Sequence, residues 1–415
     1  MRERGGRVKR NELLVVPSAT LAKLIHRFDP SDLRSDFDRW PELAREAWAT
    51  DVPELGSAFT SSPSTIIITG MGGSGIVGEL ISDICTELQS KTRIVVLKDY
   101  HLPSWVAGQN AESAGMLVVG VSCSGNTEET LSVLNESARA GLRGFAFGSG
   151  GELKSFCERR STEFTFTRTG ALKVPRSSLP ALFYPVLKFF TRSGIISLSD
   201  SEVEESFDAL SRAKNECLNL QKSGDGNFAL ELAAKSASSV KNNGRNDTFH
   251  SNSGSSSTIP LVYTSRRTRA AGMRYRQSLN ENSKLHGFDG QIPELCHNEI
   301  VGWDARVAKT LSRKRGKNAP LALPVLLRLE DDPDEIKTRF EIVEEIIKDA
   351  GVEPIIVPNQ GRSYLARVMS MLYALDYSSY YTALLRNVDP IKTGSIDFLK
   401  TELKSRLNYL GRFSA

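Results

Sequence analysis

Ile66-Ile67-Ile68-Thr69-Gly70-Met71-Gly72-Gly73-Ser74-Gly75 is the stretch on which the fold turns. A short β-branched run meets a glycine-rich turn, and Ile76, Val77, Leu80 and Ile81 follow at helical spacing, so the segment reads as strand, tight turn, helix. Glycine lets the backbone turn sharply and brings amide N–H groups close to a ligand, while the first helical turn carries partial positive charge. Something phosphorylated or carboxylated is expected there. Gly70, Gly72 and Gly75 also satisfy G-x-G-x-x-G, so a dinucleotide site with Asp99 on the ribose remains open at this point.

Working outward, the apolar run at 117–121 ends in Ser122-Cys123-Ser124-Gly125-Asn126-Thr127-Glu128-Glu129-Thr130. Three hydroxyls around a Gly-Asn turn, just before a helix, form a second cluster of neutral donors, which suits a phosphate monoester. A capping box from Thr127 would use one hydroxyl and leave Ser122 and Ser124 unexplained. Both segments fall at carboxyl ends of strands, where open α/β sheets bind ligands. Gly72, Gly73, Ser74, Ser122, Ser124 and Thr127 are therefore the expected phosphate ligands, and a phosphosugar pocket is favoured over a nicotinamide site.

The remaining texture organises the chain into an α/β protein. Residues 1–60 read as an N-terminal helical extension lying on the first domain. Residues 61–200 read as a doubly wound, mainly parallel α/β domain with strands at 66–69, 94–97, 117–121 and 145–147, closed by a helix at 179–190. Residues 201–257 form a helical connector that ends in a polar Gly/Ser/Asn-rich stretch, 241–257, with the composition of a mobile loop. Residues 258–415 repeat the α/β plan, with strands at 260–264, 324–329 and 354–357 and helices at 334–350, 364–385 and 393–407. Two halves of similar plan suggest a duplicated unit.

Composition bounds the function. The 415 residues are 40% hydrophobic and 25% charged, enough for two packed cores. With 53 basic against 49 acidic residues the net charge is +4, so no strong single-signed field favours nucleic acid. Basic clusters occur at 2–10, 266–276 and 313–317, and the first and third read as solvated tail or loop. Cys85, Cys123, Cys157, Cys217 and Cys296 are scattered and lack a CxxC pair, which signals neither a disulfide framework nor a zinc knuckle and fits a reducing cytoplasm. No H-E-x-x-H or H-x-H spacing is present, so neither metal nor cofactor is expected. The apolar run at 13–16 is too short for an export signal, and no run approaches the ~20 apolar residues of a membrane span.

GMGGSG followed by SxSGNTEET resembles the SIS, or sugar isomerase, domain. Val174-Pro175-Arg176, Asn280-Glu281-Asn282-Ser283-Lys284, His297-Asn298-Glu299-Ile300-Val301-Gly302-Trp303 and the closing pattern from Asp389-Pro390 to Ile396 and Leu399-Lys400 are similar to the bifunctional phosphoglucose/phosphomannose isomerases. The likeness runs from about residue 66 to 400. It implies two SIS domains and interconversion of glucose or mannose 6-phosphate with fructose 6-phosphate. The chain departs from the family pattern at Cys123, where an aromatic residue is common, and at Ser177-Ser178, where small apolar residues usually follow the arginine.

Such isomerisation opens the sugar ring and moves a proton between C2 and C1 through an enediol, so one base must face those carbons. The resemblance implies Glu281 as that base and His297 for ring opening, since imidazole titrates near neutrality. It further implies Arg176 and Lys400 against the developing enediolate and Thr393 in the same pocket. In the related isomerases this histidine reaches a neighbouring subunit's site, which implies a homodimer. A non-catalytic SIS regulator would keep the phosphate loops and dispense with Glu281, His297 and Arg176. A transcriptional regulator would also need a basic DNA-binding module, and Asp29, Asp32, Asp36, Asp38 and Glu42 make the N-terminal region too acidic for one. No partner nucleic acid or membrane is expected.

Overall fold

The computed structural model describes residues 16–56, 62–107, 115–219, 227–237, 258–304 and 322–407. The basic clusters at 2–10 and 313–317 and the loop at 241–257 lie outside the described residues. The helices are α1 (Ser18–Phe28), α2 (Leu33–Asp38), α3 (Trp40–Ala49), α4 (Gly72–Glu87), α5 (Ser104–Ala107), α6 (Glu128–Arg139) and α7 (Gly151–Arg159). They continue as α8 (Leu179–Arg192), α9 (Asp200–Leu218), α10 (Phe228–Ala237), α11 (Arg269–Ser278), α12 (Asp334–Asp349), α13 (Tyr364–Leu385) and α14 (Gly394–Leu407). No described helix is long and apolar enough to cross a membrane.

Strands β1 (Thr65–Thr69), β2 (Arg93–Leu97), β3 (Met116–Ser122), β4 (Arg143–Gly148) and β5 (Phe164–Arg168) form one parallel sheet in the order β2-β1-β3-β4-β5. Every residue of β1 and β3 is buried, as expected of central strands covered by helices on both faces. A second parallel sheet takes the order β7-β6-β8-β9, from β6 (Ile259–Thr264), β7 (Phe288–Gln291), β8 (Ala322–Leu327) and β9 (Ile355–Ile356). Its central strand β6 is flanked as β1 is, by the next two strands in sequence. The two sheets share one plan, which supports the suggested duplication.

Two strands go beyond the expected set. β5 alternates buried Phe164 with exposed Thr165, and β7 is built of Phe288-Asp289-Gly290-Gln291, poor strand formers held in register against β6 by the Leu261↔Phe288 pairing.

The core is continuous between the halves. Helix α13 buries every residue but Tyr364 and Arg367, and it packs on α9, α10 and α11. The N-terminal helices pack on the first domain, α3 against α8, and also wedge against this spine. Phe37 and Trp40 meet the rings of Tyr373, Tyr377 and Tyr380, Tyr380 donates to Asp29 at 2.9 Å, and the Trp40 indole donates to the Ser177 carbonyl at 2.8 Å. The reason lies in α13 itself, whose apolar surface runs all round and needs cover on every side.

The basic cluster at 266–276 closes the seam between the sheets. Arg267 binds both Glu87 oxygens at 2.9 and 2.6 Å and reaches Asp331 and Asp332, while Arg269 binds Glu79 at 2.6 Å. Asp83, from α4, accepts the Ala270 amide at 3.0 Å and so occupies the N-terminus of α11. Burial pushes the Asp83 carboxyl up to about 6, against the opposing pull of Arg269. Because the folded-state value lies above the ordinary one, the stability this group contributes is complete below about pH 4 and lost as pH rises through 6. Asp83→Asn should therefore abolish a pH-dependent part of the unfolding free energy worth about 3 kcal/mol between pH 4 and 7. Denaturant melts across that range test this. Parallel pH profiles for parent and variant would refute it.

Candidate active site

Thr69 at the end of β1 passes into a turn, and α4 starts at Gly72, within the glycine run itself. Gly72 sits at φ +52°, a left-handed conformation that glycine adopts without strain. Ser74 and Gly75 donate to the Met71 carbonyl, so the amides of Gly72 and Gly73 at the helix start are left for an outside acceptor.

The second loop is tied to the first, since the Cys123 amide donates to Ser74 Oγ at 3.1 Å. Ser122 Oγ lies 2.8 Å from Thr127 Oγ1 and accepts the Gly125 amide at 3.1 Å, and Ser124 Oγ accepts the Asn126 amide. Thr127 is the N-cap of α6, yet its side chain makes no capping bond. Its hydroxyl turns to Ser122 instead, so the capping box does not form. Gly125 stands at φ +73°, where a Cβ would fall 1.8 Å from the Gly150 carbonyl oxygen. Ser74 and Ser122 are buried, Thr127 is half-buried, and Ser124 and Gly72 are exposed, which grades the cradle from floor to rim.

Against this cradle packs the arm that precedes α8. A Cβ on Gly73 would lie 3.4 Å from the Pro175 carbonyl oxygen and 3.5 Å from Arg176 Cα. The Arg176 guanidinium, 4% exposed, gathers three stretches of chain. Nε donates to Asn282 Oδ1 at 2.6 Å, Nη1 to Glu281 Oε2 at 3.3 Å, and Nη2 to the carbonyls of Pro390 at 2.6 Å and Ile391 at 2.9 Å. Burial pulls its pKa down, partly offset by Glu281, while the neighbouring Arg274 pulls the same way as burial. Ser177 and Ser178, which depart from the family pattern, are buried and bonded to Asp36 and Val174, and Ser178 Oγ receives the Leu172 amide. They shape the arm that carries Arg176.

Glu281 lies on a π-helical turn, Leu279–Ser283, that continues α11. Such widened turns displace side chains from the helical register and are frequent at functional sites. The turn ends at Lys284, φ +52°, whose Nζ donates to the carbonyls of Glu281 at 2.9 Å, Asn282 at 3.1 Å and Asp389 at 2.6 Å. Burial and the Arg176 charge pull the Lys284 amine down to about 8. Beneath the turn, Arg274 and Asp376 form a fully buried ion pair, Nη2 to Oδ2 at 2.8 Å, and Ser278 donates to the second Asp376 oxygen. Burial raises the Asp376 carboxyl.

The expected residues therefore divide. Gly72, Gly73, Ser74, Ser122, Ser124, Thr127, Arg176 and Glu281 lie on segments joined by the Cys123–Ser74 bond, the Gly73–Arg176 contact and the Arg176–Glu281 bond. Thr393 is half-buried two residues beyond Ile391, on the segment that Arg176 holds. His297 and Lys400 are not brought to it within the protomer. His297 is exposed at the end of a 3-10 turn and Lys400 is exposed on α14, and neither side chain has a hydrogen bond or ion pair among the described residues. Sequence reasoning passed over Arg274, Asp376 and Lys284. Lys284 stands in a quoted motif, but the Arg274–Asp376 pair spans 102 residues and leaves no local signal. A separate open cleft of about 490 Å³ lies past β8 and β9, where Arg328 and Lys337 are offset by Glu330, Asp332 and Glu341, a poor lure for a dianion.

A parallel two-sheet scaffold with one glycine cradle defines the chain as a two-domain SIS protein. Residues 253–403 match the bacterial phospho-glucose isomerase C-terminal SIS domain. The fold is similar to that of a Thermus thermophilus protein of solved structure, with TM-score 0.62, 15% identity and 93% of each chain covered. The bifunctional phosphoglucose/phosphomannose isomerase of Caldicellulosiruptor bescii is 32% identical over 81% of this chain and 89% of its own. That of Aquifex aeolicus is 30% identical over 82% and 90%. The chain belongs to the bifunctional phosphoglucose/phosphomannose isomerase family.

Gly125→Ala should destabilise the protein by at least about 2 kcal/mol, through left-handed strain plus collision with the Gly150 carbonyl. Its thermal shift with inorganic phosphate should also shrink. Differential scanning calorimetry with and without phosphate checks both, and an unchanged phosphate shift would contradict the role given to this loop.

Proposed function

We propose that the chain interconverts glucose 6-phosphate or mannose 6-phosphate with fructose 6-phosphate through an enediol, without a metal. The observation that carries this reading is the contact chain from Gly73 to Arg176 to Glu281, which sets a phosphate cradle, a guanidinium and a carboxylate side by side. A dianionic phosphate held by the Gly72 and Gly73 amides, Ser74, Ser122, Ser124 and Thr127 leaves C1 and C2 facing the arm. Glu281 takes the proton from one carbon and returns it to the other. Arg176 faces the oxygens on which charge develops and donates to Glu281 at 3.3 Å. A regulator that only binds sugar phosphates has no use for a carboxylate aligned on that guanidinium.

His297 completes the site from a second subunit and opens the ring, with Thr393 and Lys400 closing the pocket from the C-terminal segment. Two features support a homodimer. Phe288 and Val301 stand exposed on the segment that carries His297, and α14 buries no residue while presenting Ile396, Phe398 and Leu399 to solvent. The free cysteines accord with a cytoplasmic enzyme.

A coupled assay on the three hexose 6-phosphates tests the activity. Glu281→Gln should lower kcat by at least about 10²-fold with little change in KM, as loss of a general base does. Turnover by Glu281→Gln at the parent rate would remove the base. Mixing inactive Glu281→Gln and His297→Ala chains under subunit exchange should restore roughly a quarter of parental activity, because each hybrid dimer carries one intact site. No recovery despite verified exchange would confine both residues to one subunit. Activity should survive EDTA, and loss reversed by zinc would replace this mechanism with a metal-dependent one.

A further inference from the structure

We propose that Arg274 is a positioning residue that couples the phosphate cradle to the catalytic arm, an inference that rests on the cradle reading above. Its guanidinium is 1% exposed and has three separate duties. Nε and Nη2 grip one oxygen of Asp376, at 3.1 and 2.8 Å. Nη2 also donates to the backbone carbonyl of Arg176, fixing the residue whose side chain holds Glu281. Nη1 is buried and has no partner among the described residues, and it lies 3.5 Å from where a Cβ on Gly73 would sit.

A buried, unpaired N–H on a charged group is costly, and side chains at such positions normally find an acceptor. This one points at the back of the loop whose front amides await an anion. There the guanidinium adds to the positive end of α4, while Asp376, on its other side, partly cancels it. A dianion in the cradle supplies the compensation that Nη1 lacks. Arg274 thereby makes phosphate occupancy and the placement of Arg176 and Glu281 energetically dependent on each other.

Opposite shifts in affinity separate this role from simple packing. In Arg274→Met the Kd for inorganic phosphate, measured by calorimetry, should rise at least tenfold. In Asp376→Asn, with the guanidinium left less compensated, it should fall severalfold, although both variants unfold more readily than the parent. Arg274→Lys keeps the charge, so its phosphate Kd should stay near the parent's, while kcat drops at least tenfold as the Arg176 carbonyl loses its donor. Should Arg274→Met fail to fold, the lysine variant and Asp376→Asn still decide the matter. Shifts in the same direction for Arg274→Met and Asp376→Asn, an unchanged Kd in either folded variant, or parental kcat in Arg274→Lys overturns the coupling alone. A parent protein that binds no inorganic phosphate overturns the cradle and the coupling together.

Discussion

The burial of one guanidinium, that of Arg176, is the constraint around which the site is assembled. Removing such a group from water costs several kcal/mol unless each donor finds a well-placed acceptor. The acceptors come from the π-turn, through Glu281 and Asn282, and from the segment at 390–391. These pieces are 105 to 215 residues away in sequence, so a local requirement for hydrogen bonds becomes a long-range one for topology. The first sheet supplies the arm, the second supplies the π-turn, and α13 delivers the C-terminal segment. Each has to be in place for the charge to be tolerated.

The same logic explains the two loops beyond β1 and β3. Gly70, whose Cβ would strike the Val121 carbonyl oxygen at 2.8 Å, lets the first turn lie against the end of β3. The bond from the Cys123 amide to Ser74 then locks the loops as one surface. Backbone amides are a rigid lining, and hydroxyls already held by Ser122–Thr127 and Ser124–Asn126 bonds lose little freedom on meeting an anion. An arginine in the cradle would bring charge together with a long flexible stem, and none is present. The charged groups, Arg176 and Glu281, stand one step away from it.

How far this was legible from sequence depended on the range of the interactions. Strands β1, β3 and β6 and helices α12 and α13 announce themselves through periodicity, and α12 also through Pro333 and Gly351 at its ends, because burial acts on each directly. The strand β7 does not, since Asp289 and Gly290 join the sheet only because β6 offers an edge in register. The cradle could be read from spacing alone. Glu281 and Arg176 could be named only through family likeness, because nothing local marks one carboxylate among many. Arg274 looked like one more cation in a basic run, and its partner on α13 was invisible without the fold. His297 and Lys400 remain surface residues of the protomer, the form expected if their surroundings are completed by another chain.

The equivalence of the two sheets carries a consequence for stoichiometry. In the first half the amides at the helix start beyond β1 are left for an outside acceptor. In the second half the corresponding terminus, that of α11, is already stoppered by Asp83, a carboxylate belonging to the very helix whose own start is open. A stopper covalently attached to the chain competes as an intramolecular ligand and is not displaced by free anions at ordinary concentrations. On the reading proposed above, the architecture has two berths and one passenger per chain, with the spare berth turned into a clasp between the halves.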